Sequence, residues 1–127
     1  MQILLVKYQD NSWGIPGCLL DLGESVEECL RREAKEELNI DLGALHLFGV
    51  FSGKELYTKL RNGHEYYNVI VGCICTEFKG DIKPDGEEVV EAKFYNLNEV
   101  PDSTQPYIKE KMKELRPKLE QILKATR

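Results

Sequence analysis

The feature that most constrains this chain is a segment with a helical pattern, Ser25 to Leu38, that carries glutamates on its apolar side. Ser25 is a suitable N-cap, and Glu28 follows three residues later, where a capping box places its glutamate. A rotation of about 100° per residue brings Glu33 and Glu37 into or beside the apolar arc that ends at Leu38. Burial of an ionised carboxylate is costly unless it is paired or bound to a metal ion. The pattern therefore predicts a helix with both a packing role and a chemical role.

The glutamates of this helix are candidate ligands for a hard divalent cation. Glu33, Glu36 and Glu37 are neighbours at i, i+3 and i+4, so in a solvated helix they repel one another. Mg²⁺ prefers oxygen ligands and commonly joins carboxylates to substrate phosphates. The competing interpretation is an acidic face exposed to solvent, which is the commoner outcome when a glutamate-rich helix is considered alone. The loop in front of the helix favours the site.

The segment from Trp13 to Ile40 resembles the Nudix box, G-x5-E-x7-R-E-U-x-E-E-x-G-U, and the W-x-(L/I)-P-G lead-in that usually precedes it; U is a bulky aliphatic residue. The lead-in is matched by Trp13, Ile15, Pro16 and Gly17. The charged box positions are Glu24, Arg32, Glu33, Glu36 and Glu37, and the closing aliphatic position is Ile40. The order of the later strands and the closing helix also look like the Nudix fold.

The resemblance implies an α+β fold, a Nudix-like α/β/α sandwich with a mixed sheet, formed as one domain over residues 1–127. Nudix enzymes typically hydrolyse a pyrophosphate bond in a nucleoside diphosphate linked to a group X. The implied cofactor is Mg²⁺, with Mn²⁺ as an alternative, and the implied partner is a small nucleotide-type substrate. Nucleoside triphosphates, ADP-ribose, nucleotide sugars and dinucleotides all remain open, because nothing in the sequence separates them.

The resemblance also assigns roles to individual residues. The metal ligands it implies on the box are the Gly17 carbonyl group and the side chains of Glu33, Glu36 and Glu37. Glu33 is alternatively the base that activates water, and Arg32 orients Glu24, since a guanidinium is a fixed two-pronged donor. A further carboxylate often comes from the loop before the late strand. The candidates there are Asp85, Glu87, Glu88 and Glu91. Glu87 or Glu88 is preferred, and a solvated turn is an equally good interpretation of both.

Three tyrosines are candidates for substrate binding: Tyr57, Tyr66 and Tyr67. They flank Asn62-Gly63, the strongest hairpin signal of the chain. Each could stack on a base or a ribose, although aromatic residues at strand positions more often serve packing.

Departures from the family pattern motivate a second hypothesis, a non-catalytic Nudix-fold module that senses a metabolite or binds a partner. The opening glycine of the box is Cys18, the last glycine is Asn39, and the acidic residue between lead-in and box is Asp21. If the Cys18 position requires a positive φ, its Cβ introduces strain. The strand Ile3–Tyr8 also lacks the strand that usually precedes it. A homodimer could supply that strand, because an unpaired edge invites pairing.

Elsewhere the pattern predicts further strands and a helical tail. Val69–Cys75 is nearly all apolar, which predicts a central strand buried on both faces. Val89–Leu97 reads as a late strand. The tail from Pro106 has amphipathic spacing, and Pro117 should kink or restart its helix.

Composition narrows the class of protein. The net charge of −5 argues against a protein that grips nucleic acid, and no apolar run is long enough to span a membrane. The four cysteines contain no C-x-x-C pair, so a zinc site is not expected. Cys73 and Cys75 read as reduced core thiols. With no export signal in the sequence, we expect a cytoplasmic protein.

Overall fold

The computed structural model describes residues 1–125, and its helices and strands confirm the predicted α+β class. In chain order the elements are β1 (Gln2–Tyr8), β2 (Trp13–Gly14), α1 (Val26–Leu38), β3 (Asp41–Leu42), β4 (His46–Phe51), a 3-10 turn (Lys54–Leu56), β5 (Tyr57–Lys59), β6 (Glu65–Tyr67), β7 (Ile70–Ile74), β8 (Phe78–Lys79), β9 (Val89–Asn96), α2 (Pro106–Glu114) and α3 (Arg116–Ala125).

β1 is the centre of a three-stranded sheet, with β2 and β9 antiparallel on its two sides. The register of β1 with β9 shifts between Lys7 and Tyr8, so the strand is irregular where it approaches the late acidic loop. The strands β3–β8, β4–β7 and β5–β6 form antiparallel pairs, and Trp13 makes a parallel bridge to Thr104. On the β2 side only Val6 and Lys7 of β1 are paired among the described residues, opposite Gly14 and Trp13. Pairing of the remaining edge by a second chain, and with it the homodimer, stays a prediction.

Helix α1 begins and ends as the sequence predicts. The Ser25 side chain accepts a hydrogen bond from the Glu28 amide, and the Glu28 side chain accepts one from the Ser25 amide, which completes the capping box. Asn39 ends the helix in the left-handed conformation with φ of 60°, which asparagine tolerates better than most residues. The two caps fix the length of the helix and thereby the positions of its glutamates.

The core packs α1 against the inner strands. Its buried residues are Val6, Ala34, Leu38, Ile40 and Val89. They come from β1, from the apolar stripe of α1 and its exit, and from the first position of β9. The predicted apolar arc of α1 is therefore the face that the protein buries.

The strand prediction for Val69–Cys75 is right in position and wrong in burial. The strand β7 covers Ile70–Ile74, but the side chains of Val69 and Val71 are exposed. Among the described residues β7 pairs only with β4, so this two-stranded sheet has a solvent face. The tail behaves as predicted, because α2 ends before Pro117 and α3 starts one residue ahead of it.

The cysteines divide into two pairs of different character. Cys73 and Cys75 are free and half-buried, whereas Cys18 and Cys29 form a disulfide that is not predicted from the sequence. Within residues 1–125, no helix is long and apolar enough to cross a membrane.

Truncation of the core tests the packing of α1. We expect Leu38→Ala to lower the free energy of unfolding by about 3 kcal/mol, because the change leaves a cavity beneath the helix. Leu22→Ala is the matched control, since Leu22 is fully exposed, and its effect should stay within about 0.5 kcal/mol. Urea denaturation measures both. Equal effects of the two substitutions would contradict the assigned core.

Candidate active site

Carboxylates from α1 and from the loop before β9 meet in one place. Glu33, Glu37 and Glu88 each offer an oxygen, and these three atoms lie within 4.8 Å of one another. They border an open cavity of about 420 Å³ whose lining residues are all acidic: Glu33, Glu36, Glu37, Asp85, Glu87 and Glu88. This donor set consists of hard oxygen atoms, so it fits Mg²⁺ or Mn²⁺ and does not fit a thiolate-seeking metal.

Glu37 shows the electrostatic cost of this arrangement. The residue is 7% exposed, and burial is the largest cause that raises its carboxyl pKa to about 9. Glu33 and Glu88 raise the pKa further through hydrogen bonding and charge repulsion. In the metal-free protein Glu37 therefore retains a proton near neutral pH. A bound divalent cation favours the ionised form, because opposite charge offsets both desolvation and repulsion.

Arg32 stands behind the cluster and joins four acidic side chains. Its Nε donates to Glu24 Oε2 at 2.7 Å and its Nη2 to Glu24 Oε1 at 3.0 Å, a bidentate pair. Its Nη1 donates to Glu33 Oε1 at 2.7 Å and to Glu36 Oε2 at 3.3 Å, and Asp21 lies 3.4 Å from Nη2. The hydrogen bonds from Arg32 lower the pKa of Glu24 to about 2, with help from the Asp21 amide. The guanidinium thus fixes one oxygen of Glu33.

The late acidic loop is docked on the end of α1 by backbone hydrogen bonds. The Lys83 amide donates to the Leu38 carbonyl and the Asp85 amide to the Glu37 carbonyl, each at 2.9 Å. These bonds satisfy carbonyl groups that the last turn of a helix leaves unpaired. Asp85 Oδ1 then accepts from the amides of Glu87 and Val89. The loop is thereby shaped so that Glu88 enters the cluster.

Tyr8 and Gln9, at the end of β1, also support this site and are not among the residues predicted from the sequence. The Tyr8 hydroxyl donates to the Ile15 carbonyl at 2.9 Å, which connects the lead-in loop to β1. Burial raises the pKa of Tyr8 to about 12, and the charges of Glu37 and Glu88 contribute to the rise. The Gln9 side chain donates to the Gly86 and Glu87 carbonyls. Tyr8 and Gln9 both follow the register shift between β1 and β9 after Lys7, which no sequence motif signals.

The structure places the other predicted site residues in different settings. Glu36 and Glu87 line the cavity but lie outside the close cluster of three oxygens. Gly17 lies on the exposed lead-in loop and is not among the lining residues, so its role as a ligand stays a prediction.

The tyrosines lie on the β5–β6 hairpin, where Tyr57 is opposite Tyr67 and their ring centroids are 5.6 Å apart. Tyr57, Tyr66 and Tyr67 are exposed and do not line the acidic cavity. Substrate stacking by them stays a prediction.

The strain expected at Cys18 is absent. In the described chain the residues other than glycine with positive φ are Asn11 and Asn39. Cys18 therefore occupies a backbone conformation that suits a residue with a side chain. A substitution of this cysteine by glycine has no strain to relieve.

Comparison with known proteins agrees with this geometry. A family model of the NUDIX domain matches residues 1–119. The ADP-ribose pyrophosphatase of Methanocaldococcus jannaschii is 32% identical over 104 residues, which are 79% of this chain and 57% of that protein. The putative ADP-ribose pyrophosphatase YjhB of Bacillus subtilis is 29% identical over 101 residues, 79% of this chain and 47% of that protein. The chain spans about half the length of these curated relatives.

The fold has a counterpart of known structure. The crystal structure of the MutT NUDIX hydrolase from Burkholderia pseudomallei superposes with a TM-score of 0.73 at 24% identity, and the match covers 88% of this chain and 86% of that one. This likeness concerns the fold, whereas the family is shown by the domain match over residues 1–119. The chain that carries this acidic cavity therefore belongs to the Nudix family.

Proposed function

We propose that this protein is a Mg²⁺-dependent hydrolase of a pyrophosphate bond in a nucleoside diphosphate linked to a group X. The observation that carries the proposal is the convergence of Glu33, Glu37 and Glu88 on one point at the wall of an acidic cavity. A polyanionic diphosphate is repelled by such a wall unless cations occupy it. The arrangement is therefore suited to a substrate that arrives with, or after, a divalent metal ion.

The roles of the carboxylates follow from their surroundings. Glu37 and Glu88 would hold the metal from the helix side and the loop side, and Glu36 and Glu87 line the same cavity. When bound, the cation neutralises charge on the pyrophosphate and orients the attacking water. Glu33 has one oxygen held by Arg32, and the roles open to it are metal ligand and general base. The Gly17 carbonyl belongs to the proposed ligand set by resemblance.

ADP-ribose is the first substrate to test. Two curated relatives carry the name ADP-ribose pyrophosphatase, and this compound has the required diphosphate between two sugars. The three tyrosines of the β5–β6 hairpin are proposed to contact its base or ribose. A cytoplasmic location, expected from the cysteine usage, and a substrate other than nucleic acid, expected from the net charge of −5, remain part of the proposal.

The alternative function is a Nudix-fold module that binds such a metabolite without turning it over. Cys18, which stands where the Nudix box has its opening glycine, is the departure from the family pattern that motivates it. Affinity without hydrolysis is the property that separates the two functions.

Substitution of Glu37 tests the proposed reaction. We expect wild-type protein with Mg²⁺ to convert ADP-ribose to AMP and ribose 5-phosphate, and EDTA to stop the reaction. Glu37→Gln should lower kcat/KM by at least about 100-fold, the upper end of the usual cost of losing a group that supports a metal site. Product chromatography measures the rate. Glu110→Gln, an exposed glutamate on α2, is the control and should keep full activity.

Two results would contradict the proposal. Unchanged turnover in Glu37→Gln would remove this residue from the machinery. The second result is a folded protein that binds metal and ADP-ribose but hydrolyses neither ADP-ribose nor nucleoside triphosphates, nucleotide sugars or dinucleotides. That result would establish the binding module instead.

The pH dependence of stability tests the electrostatics of Glu37 independently of activity. Its pKa is about 9 in the folded protein against an ordinary value of 4.5, so between these values the folded state holds a proton that the unfolded state has released. The free energy of unfolding of the metal-free protein should therefore fall as the pH rises from about 5 to about 9. Urea denaturation in EDTA measures this fall.

Glu37→Gln is the comparison for the pH series, because glutamine keeps the shape of the side chain and does not titrate. The variant should have a flatter dependence on pH and exceed the wild type in stability at the alkaline end. Mg²⁺ should stabilise the wild type more than the variant. Parallel curves for the two proteins would refute the assigned protonation of Glu37.

A further inference from the structure

A covalent bond links the lead-in loop to the helix that bears the glutamates. Cys18 follows Gly17 on the loop, Cys29 lies in the N-terminal half of α1, and their Cα atoms are 6.5 Å apart. This separation lies within the range that a disulfide requires. Cys29 is completely buried and Cys18 is half-buried, so a reagent in solution reaches Cys18 first.

The bond lies directly against the arginine that organises the site. Cys29 Sγ is 3.8 Å from Arg32 Nη2, the nitrogen that donates to Glu24. The Leu19 carbonyl oxygen is 3.4 Å from Cys29 Sγ and also 3.4 Å from Arg32 Nη2. The Cys29 sulfur, the Leu19 carbonyl group and the Arg32 guanidinium therefore lie in mutual contact between the loop and the helix.

Oxidation or reduction of the two sulfurs changes the contacts among these three groups. In the disulfide the Cys29 sulfur carries no hydrogen and no charge, so Arg32 keeps its hydrogen bonds to the carboxylates of Glu24 and Glu33. In the reduced protein the Cys29 thiol can donate to the Leu19 carbonyl group. The Cys29 sulfur is then no longer held in place by Cys18, so its contact with Arg32 Nη2 changes. Reduction also frees the loop that carries the Gly17 carbonyl group.

We propose that Cys18 and Cys29 are a reversible thiol–disulfide pair, oxidised by low-molecular-weight disulfides such as oxidised glutathione, whose bond holds Arg32 and the lead-in loop in the arrangement that the acidic site requires. The effect on turnover rests on the proposed hydrolase function. The effect on metal binding and on the loop does not. A disulfide in a reducing compartment is usually transient or redox-sensing, so the pair is compatible with the cytoplasmic location expected from the sequence.

The chemistry is thiol–disulfide exchange in two steps. The Cys18 thiolate attacks a sulfur of oxidised glutathione, a protein–glutathione disulfide forms, and one glutathione thiolate leaves. The Cys29 thiolate then attacks the Cys18 sulfur and expels the second glutathione thiolate. The two protons lost by the cysteines are taken up by the two glutathione thiolates. In sum, two protein thiols are oxidised and one glutathione disulfide is reduced to two thiols.

The experiment equilibrates the wild-type protein in buffers with increasing ratios of oxidised to reduced glutathione. Alkylation followed by intact-mass measurement counts the free thiols among the four cysteines. Each sample is then assayed for Mn²⁺ affinity by calorimetry, for amide hydrogen exchange in residues 15–24, and for ADP-ribose hydrolysis with Mg²⁺. In the oxidised protein we expect two of the four cysteines to escape alkylation and the amide hydrogens of residues 15–24 to exchange more slowly. The oxidised protein should also exceed the reduced protein about ten-fold in Mn²⁺ affinity and in kcat/KM.

Two variants assign the effect to this pair. Cys18→Ser removes the bond at the half-buried position and should match reduced wild type in every buffer. The double variant Cys73→Ser/Cys75→Ser removes the free cysteines of the β7 region and should respond to glutathione as the wild type does.

The outcomes separate this proposal from the proposed function. Four alkylated thiols in every buffer, or a bond that forms without changing Mn²⁺ affinity and loop exchange, would overturn the redox proposal. Absence of hydrolysis in both states, with metal affinity and loop exchange still dependent on the disulfide, would overturn the hydrolase function and leave the redox pair in place.

Discussion

The structure depends on holding three acidic side chains, Glu33, Glu37 and Glu88, close together at the edge of a packed core, at a cost in desolvation and charge repulsion. Each of them is followed in the sequence by a core residue: Ala34 follows Glu33, Leu38 follows Glu37, and Val89 follows Glu88. Burial of each apolar neighbour fixes the backbone from which the carboxylate projects. Burial of a Leu or Val side chain contributes about 1.5–3 kcal/mol, so the core supplies free energy that offsets the repulsion. Adjacent residues of the chain therefore build the site and the core.

Two polar networks complete this support, and they act on opposite sides of the cluster. Arg32 holds Glu24 and Glu33 on the side of the lead-in loop. On the other side, amide groups of Lys83 and Asp85 join the late loop to the last carbonyl groups of α1. Both networks use α1 as the common frame. The disulfide between Cys18 and Cys29 adds a covalent link between the lead-in loop and α1 beside the first network, with Cys29 Sγ 3.8 Å from Arg32 Nη2.

Prediction from sequence succeeded where the determinants are local. The capping box of α1, its end at Asn39 and the buried position of Glu37 follow from residues within one or two helical turns of each other. It failed for β7, because an apolar run does not reveal how many sheets will cover it. The choice between Glu87 and Glu88 also needed the fold, since both residues lie in the same short loop and only the geometry brings Glu88 to the helix.

The sequence by itself determined the helix, the charges it carries and the family to which the chain belongs, because each depends on residues at fixed spacings within one continuous segment. Only the tertiary structure decided which late carboxylate joins the cluster, that Tyr8 and Gln9 support it, and that Cys18 lies beside Cys29. These contacts join residues that are distant along the chain or lie on loops without regular periodicity. Their positions depend on strand register and on loop docking, which local propensity does not encode.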